Sequence, residues 1–229
     1  MLAGPSPRSV ANLLAGTCRQ GKPFARLRPV ADEEWKAWLG KLDSAAIADA
    51  ARRQGCPPRY MDAGIKPVWD GARILASAYT VRLIPGQGVW SASWDAMPHG
   101  SVLVVDARGR TDAIVWGELL SAEAARRGLV GAVVDGAVRD MAGVQEIGFP
   151  LFARAVVPGV APWHGTGATQ IPVTVGRVRV RPGDIVFGDE LGVVVVAPEV
   201  WETVADAAQE IQRSEGERLR THLASLRNR

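Results

Sequence analysis

Short apolar runs without polar alternation set the strongest limit on what this chain can fold into. Ile74–Leu83, Ser101–Val105, Val130–Val134, Leu151–Val156 and Val193–Val196 are nearly continuous stretches of Val, Ile, Leu and Ala. A strand with one face in water alternates polar and apolar residues, whereas an unbroken run belongs to a strand buried on both faces. Helical segments separate several of these runs. Leu119–Arg127 reads as a helix closed by Gly128, and Met141–Ile147 as a second, shorter one. Strands alternating with helices predict an α/β fold with parallel pairing. Ser101–Val105 is expected to end at Asp106, with Ala113–Val115 as a separate short strand.

The texture changes after the Pro- and Gly-rich stretch Pro158–Pro172. Val173–Val175, Val178–Val180, Ile185–Phe187 and Val193–Val196 are joined by Gly176-Arg177, Pro182-Gly183-Asp184 and Asp189–Gly192, which are turn signals. Helices flank this region. Asp32–Leu39 is expected to be helical, as is Ser44–Gln54, with Ser44 as N-cap and Gly55 as its stop. Glu199–Leu226 reads as one long helix after Pro198. The organisation expected is an N-terminal extension, partly helical, over 1–41, an α/β domain over 42–198, and a C-terminal helix over 199–229.

Composition narrows the class. The chain has 229 residues, 47% hydrophobic and 22% charged, which excludes disorder, collagen and coiled coil as descriptions of the whole. No apolar run reaches the ~18 residues of a membrane span. The formal charge is +3, with 23 Arg against 4 Lys and eight Trp against two Tyr. The Arg-rich termini lack aromatic interleaving, so no nucleic-acid partner is expected. No secretory signal is read at the N-terminus, and Cys18 and Cys56 form neither a CxxC nor a Cys/His cluster. The expectation is a soluble, cytoplasmic protein with free thiols.

The segment richest in chemistry runs from Trp116-Gly117-Glu118-Leu119-Leu120 to Asp135-Gly136-Ala137-Val138-Arg139-Asp140. Gly117-Glu118 opens a helix whose free Leu119 and Leu120 amides suit a bound anion. Arg139-Asp140 follows a buried strand, and α/β sheets collect ligands at the carboxyl ends of strands. If the two strands are neighbours, a carboxylate would meet helix amides and Arg139, and a divalent cation would meet Asp140 with Glu118 near. The plainer alternative is that Arg139 and Asp140 cap a helix and pair on the surface. On the last helix, Glu215 interrupts an apolar stripe of Val200, Val204, Ala208, Ile211, Leu219, Leu223 and Leu226. A carboxylate on such a face needs a partner. The competing possibility is that Gly216 breaks the helix and leaves Glu215 solvated, with Glu217 as the fallback.

These residues also carry a resemblance. An acidic residue, twenty intervening residues and then Arg-Asp, here Glu118 and Arg139-Asp140, resembles the RraA-like family of class II pyruvate aldolases, typified by 4-hydroxy-4-methyl-2-oxoglutarate aldolase. Further matching segments are Ala48-Asp49-Ala50, Gly71-Ala72-Arg73, Thr80-Val81-Arg82, Gly131–Asp140, Gly148-Phe149-Pro150, Arg181-Pro182-Gly183-Asp184 and Asp189–Val196. The resemblance implies a layered β/β/α, swivelling-domain-like fold in a homo-trimer or homo-hexamer. It implies Mg2+ or Mn2+ held by Asp140, partly through water. The carboxylate of a 2-oxo acid would lie on the Leu119 and Leu120 amides behind Gly117. Arg139 would hold the keto or enolate oxygen, and Glu118 would orient a proton-carrying water. A glutamate reaching a neighbouring subunit's metal site is also implied, with Glu215 as the candidate. Some relatives instead inhibit a ribonuclease, which leaves a non-catalytic binding protein as the second reading.

The chain departs from the pattern in three places. Glu118 stands where aspartate is usual. Gly86-Gln87-Gly88-Val89-Trp90, with Trp94 soon after, replaces a polar Gly-Asp-Asn, so Trp90 and Trp94 are expected to make the distal pocket more apolar, with Trp116 adjoining. Residues 1–41 have no counterpart in the pattern. Gly86-x-Gly88 is followed by Ser91 where a dinucleotide loop needs its third glycine. His99, His164 and His222 show no metal-ligand spacing.

Overall fold

The computed structural model describes residues 38–57, 59–83, 94–160 and 167–227. Trp90, Cys18, His164, the Gly86–Gly88 motif and nearly all of the expected Asp32–Leu39 helix lie outside them; residues 38–41 are helical. The elements are α1 (Ser44–Arg53), β1 (Arg59–Tyr60), β2 (Lys66–Pro67), β3 (Ile74–Arg82), β4 (Val102–Trp116), α2 (Glu118–Arg126), β5 (Gly131–Val138), α3 (Met141–Ile147), β6 (Leu151–Val156), β7 (Ala168–Thr169), β8 (Val173–Val175), β9 (Val178–Val180), β10 (Ile185–Asp189), β11 (Gly192–Val196) and α4 (Trp201–Arg227).

The main sheet runs β1-β11-β10-β3-β4-β5-β6-β2, with β7 on β3, and β8-β9 form a separate hairpin. Strand β3 belongs to two sheets. Its first half, Ile74–Ser77, pairs antiparallel with β10, and Ala78–Arg82 pairs in parallel with β4. The β4-α2-β5 and β5-α3-β6 crossovers extend the parallel part.

The apolar runs bury both faces, and the period of two sorts their residues between layers. Leu103, Val105, Ala132 and Val134 point to a core shared with Val144 and Phe149, under α2 and α3. Val102, Val104 and Val133 point the other way, into a core between the two sheets that Val186, Val193 and Val195 meet from opposite and β8-β9 completes. Ile185, Phe187, Val194 and Val196 face outward from the antiparallel sheet onto α1 and α4. The order is therefore helices, sheet, sheet, helices, a mixed α/β architecture with a long C-terminal helix.

Local differences from the sequence expectations have physical causes. Asp43, not Ser44, caps α1, accepting from the Ala46 amide at 2.7 Å. Ser44 is buried and gives its amide and hydroxyl to Asp189 at 2.7 and 2.8 Å, so a tertiary contact overrides its local capping tendency. The two strands expected at Ser101–Val105 and Ala113–Val115 are one strand, β4, broken by bulges where Asp106, Arg110, Ile114 and Trp116 pair with β5. Helix α4 continues through Gly216 without a break. Its first half is integral to the domain, since Trp201, Val204, Ala208 and Ile211 are buried against α1. Beyond Ile211 the stripe is bare: Leu219, Leu223 and Leu226 are exposed. Cys56 is disulfide-bonded, which corrects the expectation of free thiols. Wide spacing in sequence carries no information about approach in space. Among the described residues no helix is long and apolar enough to cross a membrane.

Candidate active site

Strands β4 and β5 are parallel neighbours, with Trp116 opposite Val138. Gly117-Glu118 and Arg139-Asp140 therefore leave the sheet side by side at its carboxyl edge. The Arg139 amide donates to the Trp116 carbonyl at 3.1 Å, tying the two exits together.

Gly117 is the N-cap of α2 and offers no side-chain cap. The first intrahelical bond runs from the Ser121 amide to the Gly117 carbonyl at 3.1 Å. Helix geometry thus leaves the Glu118, Leu119 and Leu120 amides unpaired within the helix, at the positive end of its dipole. Leu119 itself is 80% exposed. Beneath the helix start, Trp116 is fully buried and stacks on Phe149, with centroids 6.2 Å apart. Its indole N–H donates to Ser121 Oγ at 2.8 Å, and that hydroxyl donates to the Gly117 carbonyl at 3.0 Å. Trp116 supports the helix start from the core.

Asp140 opens α3 in the left-handed region, φ 61° and ψ 41°, with no side-chain cap bond of its own. Such a conformation costs a non-glycine residue about 1 kcal/mol or more and concentrates at functional sites. Asp140 Oδ2 accepts from Arg139 Nε at 3.2 Å, and the two side chains are 33% and 41% exposed. A pair this exposed contributes at most ~1 kcal/mol, so stability does not account for the strained placement. The two helix starts also touch. A Cβ at Gly117 would lie 2.7 Å from Asp140 Oδ2, and a Cβ at Gly143 on α3 would lie 1.9 Å from Glu118 Oε2.

These groups suit a hard cation. Mg2+ and Mn2+ favour oxygen donors, and Mg2+ typically keeps several waters and takes one or two carboxylates, as Asp140 with Glu118 could supply. No group of three or more metal-ligating side chains occurs among the described residues. Glu215 is exposed on α4, where the helix has run past the core. Trp94 is buried at the opposite end of α2 from Glu118, where the Arg127 guanidinium lies 5.6 Å from its ring centroid. Within one chain it does not meet the Glu118–Asp140 edge.

Earlier on the same strands a charged row crosses the sheet. Arg82 Nε donates to Asp106 at 3.1 Å, Asp106 stands opposite Asp135, and Arg154 donates to Asp135 at 2.5 Å and to Asp62 at 3.0 Å. The Arg154 hydrogen bond holds the Asp62 carboxyl below the usual aspartate range, while Asp135 and Asp62 push the Arg154 guanidinium upward. This row braces the strands that deliver Arg139 and Asp140.

Fold and site together define an α/β protein with an exposed helix start set against an Arg–Asp pair. The chain belongs to the RraA-like family, described as Aldolase/RraA, whose model matches residues 44–195. Protein DlpA of Legionella pneumophila is 33% identical over 82% of this chain, which spans 31% of that longer protein. "Putative 4-hydroxy-4-methyl-2-oxoglutarate aldolase" of Halalkalibacterium halodurans is 33% identical over 68% of this chain and 75% of its own. Among solved structures, Streptomyces coelicolor RraAS2, described as an unusual member of the RNase ES inhibitor RraA protein family, superposes with a TM-score of 0.72. It is 30% identical and covers 84% of this chain and 100% of its own.

Of the residues singled out from sequence, the structure brings Gly117, Glu118, Leu119, Leu120, Arg139 and Asp140 to one edge and leaves Trp94 and Glu215 away from it within the chain. Sequence reasoning missed Ser121 and Gly143. The signal for Ser121 was its position four residues after Gly117, and for Gly143 a glycine inside a short helix.

Proposed function

We propose that this protein is a divalent-metal-dependent carbon–carbon lyase, cleaving or decarboxylating a 2-oxo acid or related substrate through an enolate. The observation that carries this reading is the convergence of the α2 amides, Arg139 and the left-handed Asp140 on one edge of two neighbouring strands. The Leu119 and Leu120 amides would receive the substrate carboxylate. The Arg139 guanidinium would hold the keto oxygen and stabilise the negative charge that develops there. Asp140, with Glu118 beside it, would hold the Mg2+ or Mn2+ ion, which supplies Lewis acidity toward that oxygen. Glu118 would orient the water that exchanges protons with the aldol hydroxyl and the enolate carbon.

A homo-trimer or homo-hexamer is the assembly proposed. Leu119, Met141 and Ile147 are exposed around the site, as are Leu219, Leu223 and Leu226 on α4. Packing α4 on a neighbour would cover its bare stripe and bring Glu215 toward that neighbour's metal. Trp90 is proposed to make the distal pocket more apolar than is usual in the family.

The test is pyruvate release from oxaloacetate and 4-hydroxy-2-oxo acids, with Mg2+, with EDTA and for Asp140→Ala. Metal-dependent release that the substitution abolishes supports the lyase. The likeness to RraAS2 favours one other reading, an inhibitor of a ribonuclease without chemistry of its own. Absence of product from every substrate, with slowed RNase ES cleavage, would establish that one instead.

A further inference from the structure

The geometry points to Gly143 as the seat of the Glu118 carboxylate, a positioning residue that lets a glutamate serve where a shorter aspartate is usual. A Cβ at position 143 would stand 1.9 Å from Glu118 Oε2, 3.0 Å from its Cδ and 3.1 Å from its Cβ. Glu118 therefore lies along α3 directly over the glycine, and no other residue at 143 admits that placement.

The backbone does not call for glycine there. Gly143 is third in α3, and its φ is not among the positive values. Inside a helix glycine is less favourable than alanine, so its presence costs stability that its conformation does not require. Space is what the glycine supplies. The arrangement is reciprocal, because Gly117, just before α2, leaves room for Asp140 Oδ2 at the start of α3. Each helix start thus rests its carboxylate on a glycine of the other, and the side-by-side packing of α2 and α3 sets both together. The two glycines thus let the two carboxylates lie close against the neighbouring helix starts.

The seat stands on the geometry alone; its use in catalysis rests on the lyase reading. Gly143→Ala is tested in three backgrounds, wild type, Glu118→Ala and Glu118→Asp. In metal-free protein Gly143→Ala should leave a higher Tm where residue 118 is Ala or Asp, which keep only the Cβ contact at 3.1 Å, than where it is Glu. In the wild type the carboxylate, 1.9 Å from the added Cβ, must move as well, so the Tm shift should be the most unfavourable of the three. Equal Tm shifts in all three backgrounds would overturn the seat. In the pyruvate assay Gly143→Ala should lower kcat at least tenfold in the wild type and leave Glu118→Asp at its own level. If the wild type releases no pyruvate, the lyase reading fails, and the Tm comparison still decides the seat.

Discussion

The Trp116 indole donates to Ser121 Oγ at 2.8 Å, and through that hydroxyl the core reaches the carbonyl of Gly117, the N-cap of α2. Both partners are fully buried, so neither can turn to water if the other is lost.

Ser121→Ala should therefore be the more damaging change. It removes both the acceptor of the indole N–H and the donor to the Gly117 carbonyl, about 2 kcal/mol together, whereas Trp116→Phe keeps the stack on Phe149 and loses one hydrogen bond, about 1 kcal/mol. Urea unfolding measures both. Substrate KM should rise in each, because the Gly117 turn that aims the Leu119 and Leu120 amides is loosened.

At Asp140, charge and backbone conformation can be separated. Asn also tolerates the left-handed region, so Asp140→Asn should fold with near-wild-type Tm and lose metal-dependent turnover. Asp140→Ala should lose the same activity and about 1 kcal/mol of stability besides. Equal Tm values for the two would show that the left-handed backbone is not strained.

Arg154 joins Asp62 and Asp135, and Arg154→Met should cost about 1–2 kcal/mol by removing the guanidinium that both carboxylates share. The pH dependence follows from the direction of the Asp62 shift. Its folded value lies below the unfolded one, chiefly through the Arg154 hydrogen bond. The stabilisation is therefore present above about pH 4 and is lost as pH falls through the folded value. Unfolding free energies between pH 5 and pH 2 should fall less steeply for Arg154→Met, so matching slopes would remove Asp62 from acid unfolding.

On α4, Leu219 and Leu223 are 59% and 47% exposed and support no core of their own chain. Leu219→Lys with Leu223→Glu should leave the subunit folded and lower the assembly mass in sedimentation. An unchanged mass would place the subunit contact elsewhere.

Much of the fold was legible in the chain. Runs such as Val102–Val105 and Val193–Val196 announce strands covered on both faces, because no solvent-facing strand can leave out polar residues. Met141–Ile147 and Leu151–Val156 appear with the boundaries read from sequence, since glycine and proline punctuate both. Arg139-Asp140 and Gly117-Glu118 were visible as a pair of chemical groups, but only on the condition that their strands were neighbours.

That condition belongs to tertiary structure. Register between β4 and β5 depends on contacts between residues far apart in sequence, and the bulges that shift the pairing of β4 between Asp106 and Trp116 have no local signature. The same holds for Ser44, whose capping chemistry is redirected to Asp189 across the fold, and for Trp116, which its sequence position placed beside the pocket and packing placed under it. Sequence alone determined which residues could do chemistry and which runs had to be buried, because side-chain type and period are local properties. Only the folded chain decided that Asp140 stands in a left-handed turn against Gly117 and that Glu118 rests on Gly143, because those are distances between elements.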